Sequence, residues 1–382
     1  MKHLVWNVYR QGAILCNMHI GIDGRLTYYR TGGISTYIRR LIEALEILDT
    51  DNRYTVFHSR KAQDSLVTRF QQAKLWTPCH HRLERTGLTV ELARFNLDIL
   101  HSPDFIPPWH GAKRHVITVH DLNFLHYPDL LTAESRRYYN DQIVAAVRQA
   151  DHILADSEAT KADIVEMLGV PAAKITVHML GVEERFRPLP DESLQTFYRE
   201  YDLPAQYILF VGTFEPRKNI GGLLAAYRAL RNELPDAPPI VLAGRRGWMF
   251  DETMARIRQM GLDAHIHWRE NIPDDALPAL YNGAQVLVTP SFYEGFGLPA
   301  LEAMACGTVP IVSNRSSLPE VVGDIGLQIN PDDPTTLTQA LYHALTDSGW
   351  LRRMQVAALE RARLFTWSHT AAITLSVYRS LI

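Results

Sequence analysis

The stretch SFYEGFGLPALEAMACG, residues 291–307, combines two carboxylates with a glycine-rich turn. Glu294 lies in the turn, and Pro299 follows it, where the sequence predicts the first position of a helix. Glu302 lies about one helical turn further along. Backbone N–H groups of such a turn and a helix N-terminus stabilise negative charge, and the carboxylates are suited to accept hydrogen bonds from sugar hydroxyls. Structurally, Glu294 could instead be a surface carboxylate and Glu302 a favourable first-turn charge.

The two glutamates could alternatively be the acid and base of a glycoside hydrolase. Eight residues of helix span ~12 Å, whereas the carboxyl groups of glycosidases lie ~5–9.5 Å apart. Because Glu294 precedes the helix, the sequence does not fix its distance from Glu302. Neither the spacing nor a nearby pair of cations favours the hydrolase interpretation.

That pair of cations lies in FVGTFEPRKN, residues 210–219. Arg217 and Lys218 follow a buried strand, so they are expected at its carboxyl end, where ligands bind in parallel sheets. A diphosphate leaving group needs such neutralisation, and arginine adds bidentate geometry. A solvated charged loop would be the plain alternative for an isolated Arg-Lys pair.

Two segments of the first half could complete such a site. Gly32 and Gly33 precede a predicted helix, where glycines let backbone N–H groups approach a phosphate. His120 and Asp121 in VITVHDLNFL directly follow a buried strand. A neutral His120 could donate to a sugar hydroxyl, and a charged one could stabilise phosphate or an oxocarbenium-like centre. Taken alone, the glycines could only shape a turn and the His-Asp pair could be a packed histidine beside a helix cap.

Composition and motifs exclude several classes of protein. The 382 residues are 46% hydrophobic and 21% charged with a net charge of -3, so there is no electrostatic footprint for nucleic acid. The chain has no Gly-Lys dipeptide and hence no P-loop, and its first glycines do not match the dinucleotide motif G-x-G-x-x-G. Three isolated cysteines indicate no disulfide framework and no zinc site. A reducing compartment, the cytoplasm, is expected, and attachment to a membrane surface is left open.

The elements that must position these residues alternate between short apolar strands and helices, twice over. This alternation predicts an α/β protein with two doubly wound parallel-sheet domains that face each other across a cleft. We predict an N-terminal domain over 18–185, a linker over 186–203 with a short polar helix, and a C-terminal domain over 204–367. Residues 1–17 are interpreted as an extension, with Met18 as the alternative functional start. Predicted strands cover 19–23, 54–58, 99–101, 116–119, 152–155, 175–178, 207–211, 240–243, 265–268, 286–289, 309–312 and 326–329.

Together these segments resemble the retaining glycosyltransferases of family 4, which have the GT-B fold. The resemblance runs from about Met18 to the C-terminus and is most specific in E-G-F-G-L-P-x-L-E, residues 294–302. It implies that Arg217 and Lys218 hold the donor diphosphate and that Glu302 binds the ribose hydroxyls. Glu294 and His120 would contact the donor sugar. The remaining donor-binding residues implied are Gly32, Gly33, Gly212, Thr213, Gly295, Phe296, Gly297 and Leu298.

The resemblance also implies a mechanism and further contacts. Sugar transfer would retain anomeric configuration by front-face attack, with no cofactor and no metal, and the last helix, 368–382, would pack back on the first domain. One departure concerns the base: in WRENIPDD, residues 268–275, Glu270 stands where the family commonly has glycine. Asn271 and Ile272 are the candidates for the base pocket.

The resemblance suggests donor and acceptor classes. LAGRRGW, residues 242–248, and SSLPEV, residues 316–321, are similar to mannosyltransferase-type members that use GDP-mannose. UDP-glucose or another UDP-sugar is the alternative donor. The acceptor would be a glycan or a lipid-linked glycan, facing Tyr28, Tyr29, Arg30 and Asp121. A nucleotide-sugar epimerase and a non-catalytic nucleotide-sugar binder are the rival classes.

Overall fold

The computed structural model describes residues 17–29, 32–128 and 133–382. Residues 1–16 of the expected extension and the expected acceptor residue Arg30 lie outside the described residues. Within the described part, the chain forms two parallel sheets, as the strand-helix alternation predicts.

The first sheet has seven strands in the order β3-β2-β1-β4-β5-β6-β7, all parallel. The strand order reverses between β1 and β4, and loops at the carboxyl ends of such neighbours open a ligand crevice. Its strands are β1 (His19–Asp23), β2 (Arg53–Ser59), β3 (Gln71–Leu75), β4 (Leu97–Ser102), β5 (Ala112–Val119), β6 (His152–Ala155) and β7 (Ile175–Val177).

The second sheet has six parallel strands in the order β10-β9-β8-β11-β12-β13. Here the order reverses between β8 and β11, whose following loops contain the Arg-Lys pair and the glycine-rich turn. Its strands are β8 (Tyr207–Val211), β9 (Ile240–Ala243), β10 (Ile266–Arg269), β11 (Ala284–Thr289), β12 (Val309–Ser313) and β13 (Leu327–Ile329).

Helices connect the strands of both sheets. In the first half they are α1 (Leu26–Tyr29), α2 (Gly33–Leu48), α3 (Glu84–Leu92), α4 (Asn123–His126), α5 (Ala133–Gln149) and α6 (Glu158–Leu168). The polar helix α7 (Asp191–Glu200) lies in the sequence between the last strand of the first sheet and the first strand of the second. In the second half they are α8 (Ile220–Glu233), α9 (Phe250–Gln259), α10 (Leu277–Asn282), α11 (Leu298–Ala305), α12 (Leu318–Val322), α13 (Pro334–Thr346), α14 (Ser348–Ala362) and α15 (Trp367–Ser380).

Three local features differ from the sequence expectation. Neither the edge strand β3 nor the helix α3 was predicted. The strand was missed because its sequence, QQAKL, is mostly exposed and carries no apolar run. Pro299 is the second residue of α11, not the first, since the helix already begins at Leu298 after the cap Gly297. Proline is tolerated there because the first four N–H groups of a helix lack an intrahelical partner.

The last helix joins the core of the first sheet. Helix α2 presents an apolar stripe at helical spacing, including Ile38, Leu41 and Leu45, all fully buried. Helix α15 lies against α2, and its Tyr378 hydroxyl contacts His101 of β4 at 2.6 Å. Over the described ranges, no helix is both long and apolar enough to cross a membrane.

Candidate active site

A cleft of about 670 Å³ lies between the carboxyl ends of the two sheets. Its volume falls in the usual range for small-molecule sites. Residues from both halves line it, and they include all but five of the expected site residues. Those lining it are Gly32, Gly33, His120, Asp121, Gly212, Thr213, Arg217, Lys218, Glu294, Gly295, Phe296, Gly297, Leu298 and Glu302.

Four expected residues do not line this cleft. Asn271 and Ile272 lie after β10, where Asn271 adopts a left-handed φ of 59° in an exposed position. Tyr28 and Tyr29 lie on α1 and are 47% and 37% exposed. The fifth residue, Arg30, is not described.

Arg217 and Lys218 converge on the carboxylate of Glu294. Arg217 Nη1 lies 3.0 Å from Oε2 and Lys218 Nζ lies 2.6 Å from Oε1, and Ser291 Oγ donates to Oε1 at 2.7 Å. Burial opposes ionisation of Glu294, but the charges of Lys218 and Arg217 outweigh it and lower its pKa to about 2. Glu294 is therefore a buried counter-ion that fixes both cations, not the surface carboxylate that its sequence position also allowed.

The turn after Glu294 brings backbone close to both domains. Gly295 is packed so tightly that an added Cβ would lie 2.3 Å from the His120 carbonyl oxygen. Gly297, the N-cap of α11, has a φ of 110°, a left-handed conformation that favours glycine. The N-terminus of α11 thus opens into the cleft, where the positive end of the helix dipole can stabilise an anion.

Glu302 lies one turn into α11 and is partly buried. The Tyr281 hydroxyl donates to its Oε2 at 2.7 Å. Burial, together with the nearby charge of Glu183, raises its pKa to about 7 despite that hydrogen bond. Glu302 can therefore accept hydrogen bonds from vicinal hydroxyls once it is ionised.

His120 is held from both sides of its ring. Nδ1 lies 2.7 Å from Asp156 Oδ2, and Nε2 lies 2.8 Å from the carbonyl oxygen of Pro103. Burial alone would lower its pKa, but the charge and hydrogen bond of Asp156, aided by Asp104, raise it to about 9. Of the two protonation states that the sequence left open, the geometry favours the cation.

Several cleft residues were missed by the sequence analysis. Asp156 directly follows β6, so its place at a strand end was a usable signal. Trp248 is 56% exposed and lines the cleft from the loop after β9. Glu183 and Arg185 come from the segment between β7 and α7, Tyr281 comes from α10, and no local pattern marks them.

Within 17–29, 32–128 and 133–382, no group of three or more histidine, cysteine, aspartate or glutamate side chains could hold a metal ion.

Two family models and several known proteins match this chain. The model described as "Glycosyltransferase Family 4" matches residues 31–186, and "Glycosyl transferases group 1" matches residues 199–361. The O-antigen chain mannosyltransferase B of Escherichia coli is 31% identical over 371 residues, which are 92% of this chain and 97% of that protein.

Solved structures show the same fold at lower identity. The sucrose-phosphate synthase of Thermosynechococcus elongatus has a TM-score of 0.77 at 21% identity, covering 95% of this chain and 99% of that one. The Anabaena HepE structure in complex with UDP and glucose has a TM-score of 0.72 at 16% identity, covering 94% and 100%. With its two parallel sheets, its cleft and these relatives, the chain belongs to the mannosyltransferase-like group of glycosyltransferase family 4 and has the GT-B fold.

Proposed function

We propose that this glycosyltransferase is a retaining, metal-independent enzyme that transfers mannose from GDP-mannose to a hydroxyl of a glycan or lipid-linked acceptor. The observation that carries the proposal is the convergence of Arg217, Lys218 and the N-terminus of α11 in one cleft. Their positive charge matches a sugar diphosphate, whose negative charge grows as the sugar leaves. In this proposal Glu302 accepts the ribose hydroxyls, and the backbone of Gly33 and Gly212 approaches the phosphates.

Retention of configuration is proposed from the resemblance to the retaining family, and a covalent intermediate on Glu294 is not part of the proposal. Both of its oxygens are engaged by Arg217, Lys218 and Ser291. The acceptor oxygen would instead bond to the anomeric carbon on the face from which the phosphate departs. The bond from that carbon to the phosphate oxygen breaks, and the acceptor proton passes to the departing phosphate.

Mannose is the proposed sugar because the relative that matches nearly the whole chain is named a mannosyltransferase. Guanine is proposed from the segments at 242–248 and 316–321. For base contact we favour Trp248, which lines the cleft, over Asn271 and Ile272, which do not. A UDP-sugar is the alternative donor.

A thermal-shift series tests the donor. Stabilisation by GDP and GDP-mannose but not by UDP or UDP-glucose would support the proposal. The reverse selectivity would show that the donor is a UDP-sugar, without affecting the fold or the family. Bound ligand raises stability by mass action, so the shift must grow with ligand concentration.

An acceptor series tests transfer itself. Nucleotide release that depends on acceptor would exclude both an epimerase and a simple binder, and the anomeric signal of the product in NMR would report retention or inversion. Turnover that survives EDTA would support metal independence. Tyr28, Tyr29 and Asp121 stay proposed acceptor contacts, to be tested by their effect on acceptor KM.

We further propose that the enzyme works at the cytoplasmic face of a membrane that carries its lipid-linked acceptor. Support comes from an exposed surface around α3. Val90 is 73% exposed on α3. Trp76 and Trp109 (70% and 49% exposed) lie beside this helix, because their backbone N–H groups donate to the side chains of Glu91 and Thr89 respectively. The exposed Leu83 is the N-cap of α3, and the exposed Arg94 lies in the 3-10 turn that follows this helix.

Tryptophan and arginine side by side suit the boundary between headgroups and acyl chains of an anionic bilayer. Co-sedimentation with vesicles containing anionic lipid should therefore be strong for the native chain and weak for the Trp76→Ser, Trp109→Ser double variant. Substitution of Tyr342, which is 41% exposed on α13 of the other domain, provides the matched control. Equal binding of all three proteins would refute this membrane site.

A further inference from the structure

A buried chain of polar side chains connects the last helix to the cleft. Asp156 is 2% exposed, and each of its carboxylate oxygens meets a histidine. Oδ2 lies 2.7 Å from His120 Nδ1, and Oδ1 lies 3.2 Å from His178 Nε2. The other nitrogen of His178 lies 3.2 Å from the hydroxyl of Thr374 on α15. The side chain of Asp156 is thereby held from the side opposite His120.

A second polar chain from α15 reaches the same two rings. Tyr378 contacts His101 Nδ1, and His101 Nε2 lies 2.8 Å from the hydroxyl of Thr118. Thr118 in turn lies 2.8 Å from the hydroxyl of Tyr37. The Tyr37 ring packs edge-on against His120 and His178, with centroids 4.9 and 5.4 Å away. The orientation of the His120 ring is therefore constrained by contacts from several strands and two helices.

The hydrogen bonds also define how many protons the His120 ring carries. Both ring nitrogens face acceptors, the Asp156 carboxylate and the Pro103 carbonyl, and only a doubly protonated imidazole can donate to both. The other titratable groups around it are Asp104, which pairs with His80, together with His178, His101 and Tyr37. Burial holds the pKa of His101 well below its usual value, so that ring stays neutral.

We propose that Asp156 is a positioning residue for sugar transfer that acts through His120. It holds the His120 ring as an oriented cation at the donor pocket, and His178 and Thr374 hold Asp156 in place. A ring already carrying both protons does not take the proton of the acceptor, so His120 contributes fixed charge and orientation. The inference rests on the proposed transfer reaction for its kinetic consequences, but its electrostatic part stands on the free protein.

The test is Asp156→Asn, read by the pH dependence of turnover and by NMR of the histidine rings. The His120 signal among the 16 histidines is identified by its loss in His120→Gln. In the native chain we expect the His120 ring to stay charged until the pH rises through about 9. In Asp156→Asn its pKa should fall to or below the ordinary value of ~6.5.

Turnover of Asp156→Asn at pH 8 should fall roughly 10–100-fold, the usual cost of losing an orienting partner. At saturating donor, part of the loss relative to the native chain should be regained at pH 6, because acid restores the cation. Asp151→Asn is the matched control: it changes the charge at the opposite end of β6, where Asp151 pairs with Arg114. Asp151→Asn should change neither the pH dependence of turnover on the alkaline side nor the pKa of His120.

A pair of variants keeps the test open if Asp156→Asn fails to fold. Thr374→Val removes the hydroxyl at nearly constant volume and should lower the His120 pKa in the same direction by a smaller amount, whereas Thr374→Ser should restore it. A His120 pKa that stays near 9 in Asp156→Asn, or in Thr374→Val when only that variant folds, overturns the proposal. If the native chain transfers no sugar, the proposed function fails, while the NMR result still decides the role of Asp156.

Discussion

Arg217 and Lys218 both pair with one buried anion, Glu294. A diphosphate entering the cleft would join this cluster, and the cations would then divide their hydrogen bonds between it and Glu294. Glu294 thus keeps two like charges close together, and in the proposed reaction this is the position that a departing diphosphate requires. The cost of burying this carboxylate is offset by three donors, each at ordinary hydrogen-bond distance.

Removing either cation should impair the chemical step. We expect Arg217→Ala or Lys218→Ala to lower kcat roughly 10²–10³-fold, the usual effect of deleting one donor to a developing negative charge. Arg114→Ala, which removes an exposed cation remote from the cleft, serves as the control. Steady-state kinetics with a verified donor make the comparison. Near-normal turnover in both cleft variants would contradict the assigned roles.

Glu302 should make donor binding depend on pH. Its pKa is raised to about 7, so the carboxylate that we propose as acceptor of the ribose hydroxyls forms only as the pH rises through neutrality. Ionisation increases about tenfold between pH 6 and pH 8 for such a group, so donor affinity should rise by about that factor. Calorimetric titration at both pH values measures the change. Glu302→Gln should bind the donor weakly, with little dependence of affinity on pH. If the affinity of this variant depends on pH as steeply as that of the native chain, a group other than Glu302 causes the dependence.

At the scale of elements, parallel strands collect the cleft residues at one edge of each sheet. The cations, the glycine turn and the His-Asp pair each lie in the loop after a buried strand, so the strand pattern of the sequence predicts where they lie. No local pattern predicts the contacts among Asp156, His178 and Thr374, because these residues are far apart in the chain and are brought together only by packing. Strand β3 escaped prediction for a different reason, because an exposed edge strand needs no apolar run.

The N-terminus of α11 depends on a backbone conformation that a side chain would strain. Gly297→Ala would place a Cβ 2.7 Å from Leu318 Cδ2 at a φ of 110°. We expect a loss of unfolding free energy of about 1–3 kcal/mol and a smaller donor-induced thermal shift. Gly169, a C-cap with φ 66° and open space around it, provides the control. Gly169→Ala should cost about 1 kcal/mol but leave the donor shift intact.

At the scale of the whole molecule, the two domains hold each other through the start of helix α6. The carboxylate of Glu320 on α12 accepts the backbone N–H groups of Glu158 and Ala159 at 2.8 and 2.7 Å. Ser157, the N-cap of α6, donates to the Gly295 carbonyl oxygen at 2.9 Å. A helix of one domain is thus capped by a side chain of the other, next to the glycine turn.

Loss of this cap should favour an open arrangement. A helix cap contributes about 0.5–2 kcal/mol, so Glu320→Ala should reduce the closed population, and with it donor affinity, by about 2–30-fold. Small-angle scattering should show a larger radius of gyration for the donor-free variant. Glu158→Ala removes an exposed carboxylate from the first turn of α6, keeps the backbone N–H that Glu320 binds, and is the control. Scattering curves identical to those of the native chain would show that this contact does not hold the two domains closed.

Helix α15 has a consequence for the order in which the molecule folds. Its Thr374 and Tyr378 complete polar chains inside the first domain, and several of its apolar side chains share the buried core with α2. Synthesis from the N-terminus therefore delivers the first domain with part of its interior missing. The second sheet is made and can fold as a unit before that missing piece emerges. The domain that is synthesised first is consequently the one that is finished last.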